Sequence, residues 1–212
     1  MQAFSEVWNL ATEPCSAANR LMAEPIDDER LLRQLAQGDE AAFRIIYNRY
    51  QRSIHRFAWQ MSGDHASAEE ITQEVFMLLV CKPRKYNPAK GSLGGYLFGI
   101  ARNLTRRRIE QSRSLVQISE ETLDSEATLH SKYVISESED LLAALTQQQM
   151  IEVLRKTILS LPSQYREVIV LCDLEQMTQA DASELLQCSP GTIASRMHRA
   201  RALLRSKLLE GS

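Results

Sequence analysis

The chain has 212 residues, a formal net charge of −2, 44% hydrophobic and 25% charged residues, and only 8 glycines and 6 prolines. That length holds one mid-sized domain or two small ones, and the composition is ordinary for a globular protein. No apolar run of about 18 residues is present to span a membrane, and no basic segment followed by an apolar core marks a secretory signal.

Residues 1–26 show no sustained period and are interrupted by Pro14 and Pro25, so they read as a flexible extension, with a short helix near Phe4 to Leu10. Helical signals follow. Asp27 and Asp28 precede Leu31, Leu32 and Leu35, and Gly38 ends that helix. Asp39 caps the next, where Phe43, Ile46, Tyr47, Tyr50, Ile54, Phe57 and Met61 recur in steps of three and four. Gly63-Asp64 marks a turn, after which Ala68, Ile71, Val75, Leu78 and Leu79 form a stripe. Lys82-Pro83 and Asn87-Pro88 hold a loop open through Gly91. Ser92 caps a fourth helix with the stripe Leu93, Tyr96, Leu97, Ile100 and Leu104.

From Ser112 to about Asp140 the chain is rich in Ser, Thr and acids, a linker composition. A second helical unit begins near Leu141, with Leu142, Leu145, Ile151, Leu154, Ile158 and Leu161 on one face until Pro162 breaks it. Tyr165, Val168, Ile169 and Cys172 carry a short helix, and Thr178–Leu186 and Ser189 to about Leu209 carry two more. The expected fold is all-α: an extension (1–26), a first helical domain (27–113), a flexible acidic linker (114–140) and a second helical domain (141–212).

The net charge conceals an uneven distribution. Arg102, Arg106, Arg107, Arg108 and Arg113 crowd one segment with only Glu110 opposing them, and Arg196, Arg199, Arg201, Arg205 and Lys207 crowd another that contains no acid. Between them lie Glu120, Glu121, Asp124, Glu126, Glu137, Glu139 and Asp140. Two basic patches with an acidic spacer point to nucleic acid more than the average does.

The last two helices have the form of a helix-turn-helix. Thr178 is an N-cap with Asp181 three residues on, Ser189 is a second N-cap, and Pro190 suits a first helical position. Ile193, Met197, Ala200 and Leu204 face a core, leaving Thr192, Ser195, Arg196, His198, Arg199 and Arg205 outward. Such a second helix enters the major groove, where arginines bond phosphates or guanine edges. A solvated basic face on a helical bundle is the competing reading.

The stretch Leu161-Pro-Ser-Gln-Tyr-Arg-Glu-Val-Ile-Val-Leu171, followed by Gly191-Thr-Ile-Ala-Ser-Arg-Met-His-Arg-Ala-Arg201, resembles domain 4 of extracytoplasmic-function (ECF) sigma factors. The resemblance implies that Thr192, Ser195, Arg196, His198 and Arg199 recognise the −35 promoter element. Two residues depart from the pattern: Ala194 stands where Lys or Arg is usual, and Gln187 where Gly or Asn is common in the turn, which predicts strain or an altered turn there.

Ala68-Glu-Glu-Ile-Thr-Gln-Glu-Val-Phe76 resembles the same family's domain 2 helix that docks on the clamp of the polymerase β′ subunit. With Ile71, Val75 and Leu78 inward, Glu70, Gln73, Glu74 and Met77 form the expected docking face. Val80 stands where many members carry Trp, which predicts a smaller local anchor. Lys85-Tyr-Asn-Pro-Ala-Lys-Gly-Ser-Leu93 resembles the family's −10 loop, and Gly99-Ile-Ala-Arg-Asn-Leu104 the helix after it. Gly94-Gly95 departs from the bulkier residues common at that helix start. Lys85, Lys90, Arg102, Asn103, Arg106 and Arg107 are expected on the displaced strand's phosphates. Tyr86 either stacks on a base or caps the small core; Tyr96, on the apolar stripe, reads as core.

The resemblance implies a cytoplasmic promoter-reading subunit whose partners are core RNA polymerase, through its β′ clamp and β flap, and promoter DNA. A separately encoded anti-sigma factor, common in the family, is a further candidate partner. The alternative is a free-standing helix-turn-helix regulator, which leaves the Gln73-Glu74 helix unexplained. No enzyme motif is found: no P-loop, no H-E-x-x-H, no G-x-S-x-G and no Gly-rich dinucleotide turn. No catalytic residue, metal ligand or cofactor is expected. His55, His65, His130 and His198 are scattered, and Cys15, Cys81, Cys172 and Cys188 form no C-x-x-C pair.

Overall fold

The computed structural model describes residues 25–119 and 139–210. Over these residues the helices are α1 (Pro25–Leu35), α2 (Glu40–Ser62), α3 (His65–Cys81), α4 (Leu93–Ser119), α5 (Glu139–Leu159), α6 (Ser163–Val168), α7 (Gln179–Leu186) and α8 (Pro190–Glu210). Single 3-10 turns at Pro83–Lys85 and Pro88–Lys90 fill the loop before α4, and α6 runs directly into a π-helical turn, Ile169–Leu174. No strand occurs among the described residues.

Local chemistry accounts for most helix ends. Asp39 accepts hydrogen bonds from the amides of Ala41 (2.8 Å) and Ala42 (3.4 Å) and so starts α2. Gly63, at φ +78, ends α2 in the left-handed region, and Asp64 starts α3 by accepting from the Ser67 amide at 2.8 Å. Ser92 accepts from the Gly95 amide at 3.1 Å at the head of α4. Thr178 both accepts from the Asp181 amide (3.1 Å) and donates to its carboxylate (2.7 Å), closing the predicted cap on α7.

Two boundaries differ from the sequence expectation. Pro25 opens α1 instead of interrupting the chain; a first-turn proline gives up no helical hydrogen bond. Asp28 is consequently inside the helix, where it is buried, paired with Arg49 and accepts a hydrogen bond from Tyr50 Oη at 2.7 Å. Burial, with the Asp28 charge beside it, pushes the Tyr50 hydroxyl pKa up. At the far side, α4 runs through the expected linker boundary to Ser119, since no Gly or Pro interrupts residues 114–119. The rest of the linker before α5, and residues 1–24 including Cys15, lie outside the described residues.

The N-terminal unit packs α2 against α3 as a helical hairpin, with α1 and α4 laid on α2. Ile46, Ile54, Phe57, Ala58, Ala68, Val75, Leu79 and Leu97 are completely buried in it. Phe76 is buried too, its ring 4.8 Å from that of Tyr47, whereas Leu78, expected inward, is only half-buried. In the C-terminal unit α6 and α7 pack on α8, and Val168 through Leu171 are fully buried. An unbroken apolar run buried on all sides has no solvent face to present. Ile151, expected on the buried face of α5, is 39% exposed.

The two units share one continuous core. Helix α4 packs on α7, and α2 packs on α5, α6 and the π turn. At Gly63 an added Cβ would lie 3.3 Å from Leu159 Cδ1, so the α2–α3 turn and the end of α5 approach as closely as a missing side chain permits.

Candidate nucleic-acid interface

Three surfaces bear the residues that the sequence singles out. On α3, Glu70, Gln73 and Met77 are exposed and Glu74 is half-exposed, opposite the buried Ala68, Ile71, Val75 and Leu79. Met77 is 63% exposed and Val80, one turn on, 46%. Large apolar side chains standing in water beside carboxylates have the make-up of a docking surface. Glu70 is ion-paired with Arg108 of α4, so this face borders the first basic cluster.

In the loop before α4, Lys85 and Lys90 are exposed and Tyr86 is half-buried. The Tyr86 ring lies 5.6 Å from that of Tyr96 and its hydroxyl donates to the Gly91 carbonyl at 3.0 Å. Of the two roles open to Tyr86, this is the geometry of a core cap that also closes the loop on itself. Tyr96, read as core, is partly buried against the same cluster. Asn87 accepts from the Ala89 amide at 3.0 Å and sets the second 3-10 turn. Along α4, Asn103, Arg106 and Arg107 are exposed. Arg102 is not: its guanidinium makes a bidentate pair with Glu167 of α6, at 3.0 and 3.2 Å. A residue expected on DNA phosphate therefore holds the two units together in this arrangement.

The third surface is α8. Ser189 accepts from the Thr192 amide at 3.1 Å and starts the helix as predicted. Ile193, Met197, Ala200 and Leu204 are all buried, so the core-facing face is the one the four-three-four spacing predicts. Ser195, His198 and Arg199 are exposed, and Thr192 and Arg196 half-exposed. Arg201, one turn further round, is drawn back to Asp173 of the π turn by two contacts at 3.0 and 2.5 Å. Gln187 sits at φ +54, ψ +46, a left-handed position where a non-glycine residue is strained, as its place in the turn predicts. Its amide and that of Cys188 reach back to the α7 carbonyls of Glu184 and Ser183, at 3.2 and 3.0 Å.

Sequence reasoning missed the residues that join the units. Arg56 of α2 clasps Glu175 with two bonds of 2.6 Å, and Glu175 is 4% exposed. Burial raises the Glu175 pKa, and Arg56 and Ser53 oppose that rise. Arg166 donates to the Met61 carbonyl at 2.9 Å, and Arg155 lies 4.9 Å over the Trp59 ring. The partners of the clasp are 119 and 65 residues apart, and no local pattern links them. The loop and α7 also line one cavity of about 300 Å³, with Lys85, Asn87 and Lys90 on one side and Asp181 and Glu184 on the other.

Of the cysteines, Cys81 is exposed, Cys188 half-buried and Cys172 buried; none of the three is in a disulfide. Burial, with Asp173 alongside, pushes the Cys172 thiol up to about 11. Among the described residues no helix is long and apolar enough to cross a membrane.

Residues 46–114 match the family description Sigma-70 region 2, and residues 151–204 match Sigma-70, region 4. The chain is 27% identical over 183 residues to the ECF RNA polymerase sigma factor SigW of Bacillus subtilis, covering 85% of this chain and 96% of that protein. It is 26% identical over 197 residues to the ECF RNA polymerase sigma-E factor of Escherichia coli K12, covering 88% and 97%. The fold is similar to that of CnrH in its complex with the cytosolic domain of CnrY, with a TM-score of 0.61, 22% identity and coverage of 88% and 99%. Both regions occur in order in one chain, on two helical units whose recognition helix is built as the sequence predicts. The chain therefore belongs to the ECF RNA polymerase sigma factors and directs promoter-specific transcription, instead of acting as a free-standing regulator.

Proposed function

We propose that the work of this sigma factor is divided between its two units, residues 27–113 and 141–212, with no chemistry of its own. The exposed α3 face, Glu70, Gln73, Glu74 and Met77, docks on core polymerase. Lys85, Lys90, Asn103, Arg106 and Arg107 hold the phosphates of the melted −10 strand, with Tyr86 shaping the loop. Unstacking a base costs a few kcal/mol, and a preformed loop offsets part of that. Arg102 joins this set only when its pair with Glu167 opens. Thr192, Ser195, Arg196, His198 and Arg199 read the −35 duplex, and the chain acts in the cytoplasm. CnrH and the Bartonella quintana sigma factor RpoE are each described in complex with a second protein, CnrY and the anti-sigma factor NepR respectively. A partner of that anti-sigma class fits this chain as well.

The observation that carries the reading is the exposure of Arg106 and Arg107 on one unit and of Arg199 on the other, none of them in an ion pair among the described residues. Run-off transcription with purified core polymerase tests it. The full chain should direct initiation, and reversing Glu70 and Glu74 together to Lys should weaken co-elution with polymerase while leaving the helical fold intact. Unchanged co-elution would remove the assignment of α3.

A further inference from the structure

We propose that His55, His65 and Glu69 form a binding site for one divalent transition-metal ion of borderline hardness, of the Zn²⁺ or Ni²⁺ class. The sequence scatters these residues; the turn at Gly63-Asp64 brings them together. His65 is the first residue of α3 and Glu69 lies one turn on, so both project from the same side of the helix. His55 faces them from α2, its ring centroid 4.8 Å from that of His65. One ligand atom from each side chain lies within 4.8 Å of the other two.

The spacing suits coordination. Ligand atoms held at about 2.0–2.2 Å in tetrahedral geometry stand roughly 3.4 Å apart. His65 Nδ1 and Glu69 Oε1 are already 3.4 Å apart, and both side chains are exposed. Two imidazoles and a carboxylate select Zn²⁺, Ni²⁺, Co²⁺ or Cu²⁺ over Mg²⁺ or Ca²⁺, with water completing the shell. Trp59 supports the arrangement: its ring centroid is 5.5 Å from that of His65, and Arg155 is stacked on it. Asp64, the nearest other carboxylate in sequence, is occupied in capping the Ser67 amide.

A plain surface ion pair between His65 and Glu69 is the rival account, but it gives no part to His55, whose ring centroid stands 4.8 Å from that of His65. An ion here would tie α2 to α3 across their turn.

The experiment uses the full chain without a histidine tag, freed of metal, with Trp8→Phe so that Trp59 is the only tryptophan. Ni²⁺ and Zn²⁺ are titrated separately, following Trp59 fluorescence and the melting temperature. The expected result is saturable binding at one ion per chain, with quenching by Ni²⁺ and a metal-dependent rise in melting temperature. His65→Ala, at an exposed position, should leave the metal-free melt unchanged and weaken binding by about tenfold or more, since even outer-shell changes cost that much. Glu69→Gln should weaken it less, and His55→Gln should abolish the thermal shift. Absence of saturable binding at millimolar metal overturns the proposal, as does binding that neither His65→Ala nor His55→Gln alters.

Discussion

The two basic clusters look alike in sequence and differ in three dimensions. On α8, Arg201 is paired with Asp173 of its own unit, and Arg199 stands exposed opposite the buried Ile193, Met197, Ala200 and Leu204. On α4, Arg102 is paired with Glu167 of the other unit and Arg108 with Glu70 of α3. At the surface proposed to read the duplex, the Arg201 pair thus stays within one unit. The surface proposed to hold the strand depends on how the units sit, because Arg102, one of its expected cations, is shared with the contact between them. Counting arginines overstates the charge left available on both helices, since Arg102 and Arg108 on α4 and Arg201 on α8 are each paired.

The largest effect is expected where the contact is most buried. Replacing Arg56 by Ala leaves the Glu175 carboxylate buried without its guanidinium, and should cost about 3–5 kcal/mol, measured by denaturant unfolding. Glu175→Ala should cost less, because the Arg56 side chain is 27% exposed and turns to water. The pH dependence follows from the raised Glu175 pKa. A carboxyl whose folded pKa lies above its unfolded value contributes stability at low pH, and loses it as pH rises through the folded pKa. Without Arg56 that pKa climbs further, so the deficit of Arg56→Ala should shrink as pH is lowered from 7 towards 5. A deficit that is flat with pH would show that Glu175 does not bear the cost.

A smaller effect separates the two proposed DNA surfaces. Arg199→Ala should weaken binding to a −35 duplex by about 1–3 kcal/mol if it reads a base through two bonds, and leave capture of a −10 single strand nearly unchanged. Replacing Arg106 and Arg107 together should do the reverse and flatten the salt dependence of strand capture, because fewer counterions are released. Binding of holoenzyme to each probe over a salt series measures both, and an Arg199→Ala effect confined to the single strand breaks the comparison.

The shared cation gives a finer test. Glu167→Gln removes the charge that holds Arg102, so single-strand capture should strengthen severalfold while duplex binding stays the same. Equal changes at both probes would mean that the α8 surface also depends on the contact between units.

The smallest effect is at the cysteines. Cys81→Ser and Cys188→Ser should leave transcription intact, and Cys172→Ala should show only a loss of packing, since its thiol is buried and pushed up to about 11. A reversible oxidative loss of activity, abolished by one of these substitutions, would reveal a switch.

Most helix positions, caps and core faces follow from the sequence, because each is set by neighbours within a turn or two; Pro25 inside α1, the half-buried Leu78 and the exposed Ile151 are exceptions. Asp39, Asp64, Thr178 and Ser189 bond amides two or three residues on. Ile193, Met197, Ala200 and Leu204 are buried on spacing alone. Gln187 was legible as a misfit because the turn demands a left-handed residue whatever surrounds it. Only the tertiary structure decided which charges remain available. Arg102 and Arg106 look the same in a string of letters, and what distinguishes them is a carboxylate 65 residues from Arg102 that packing brings within 3.0 Å. The same holds for Arg56 and Glu175, and for the meeting of His55 with His65 across a turn. Periodicity reports which face of a helix is apolar; the partner of a charge on another helix is chosen by how helices pack, and no local rule encodes that choice.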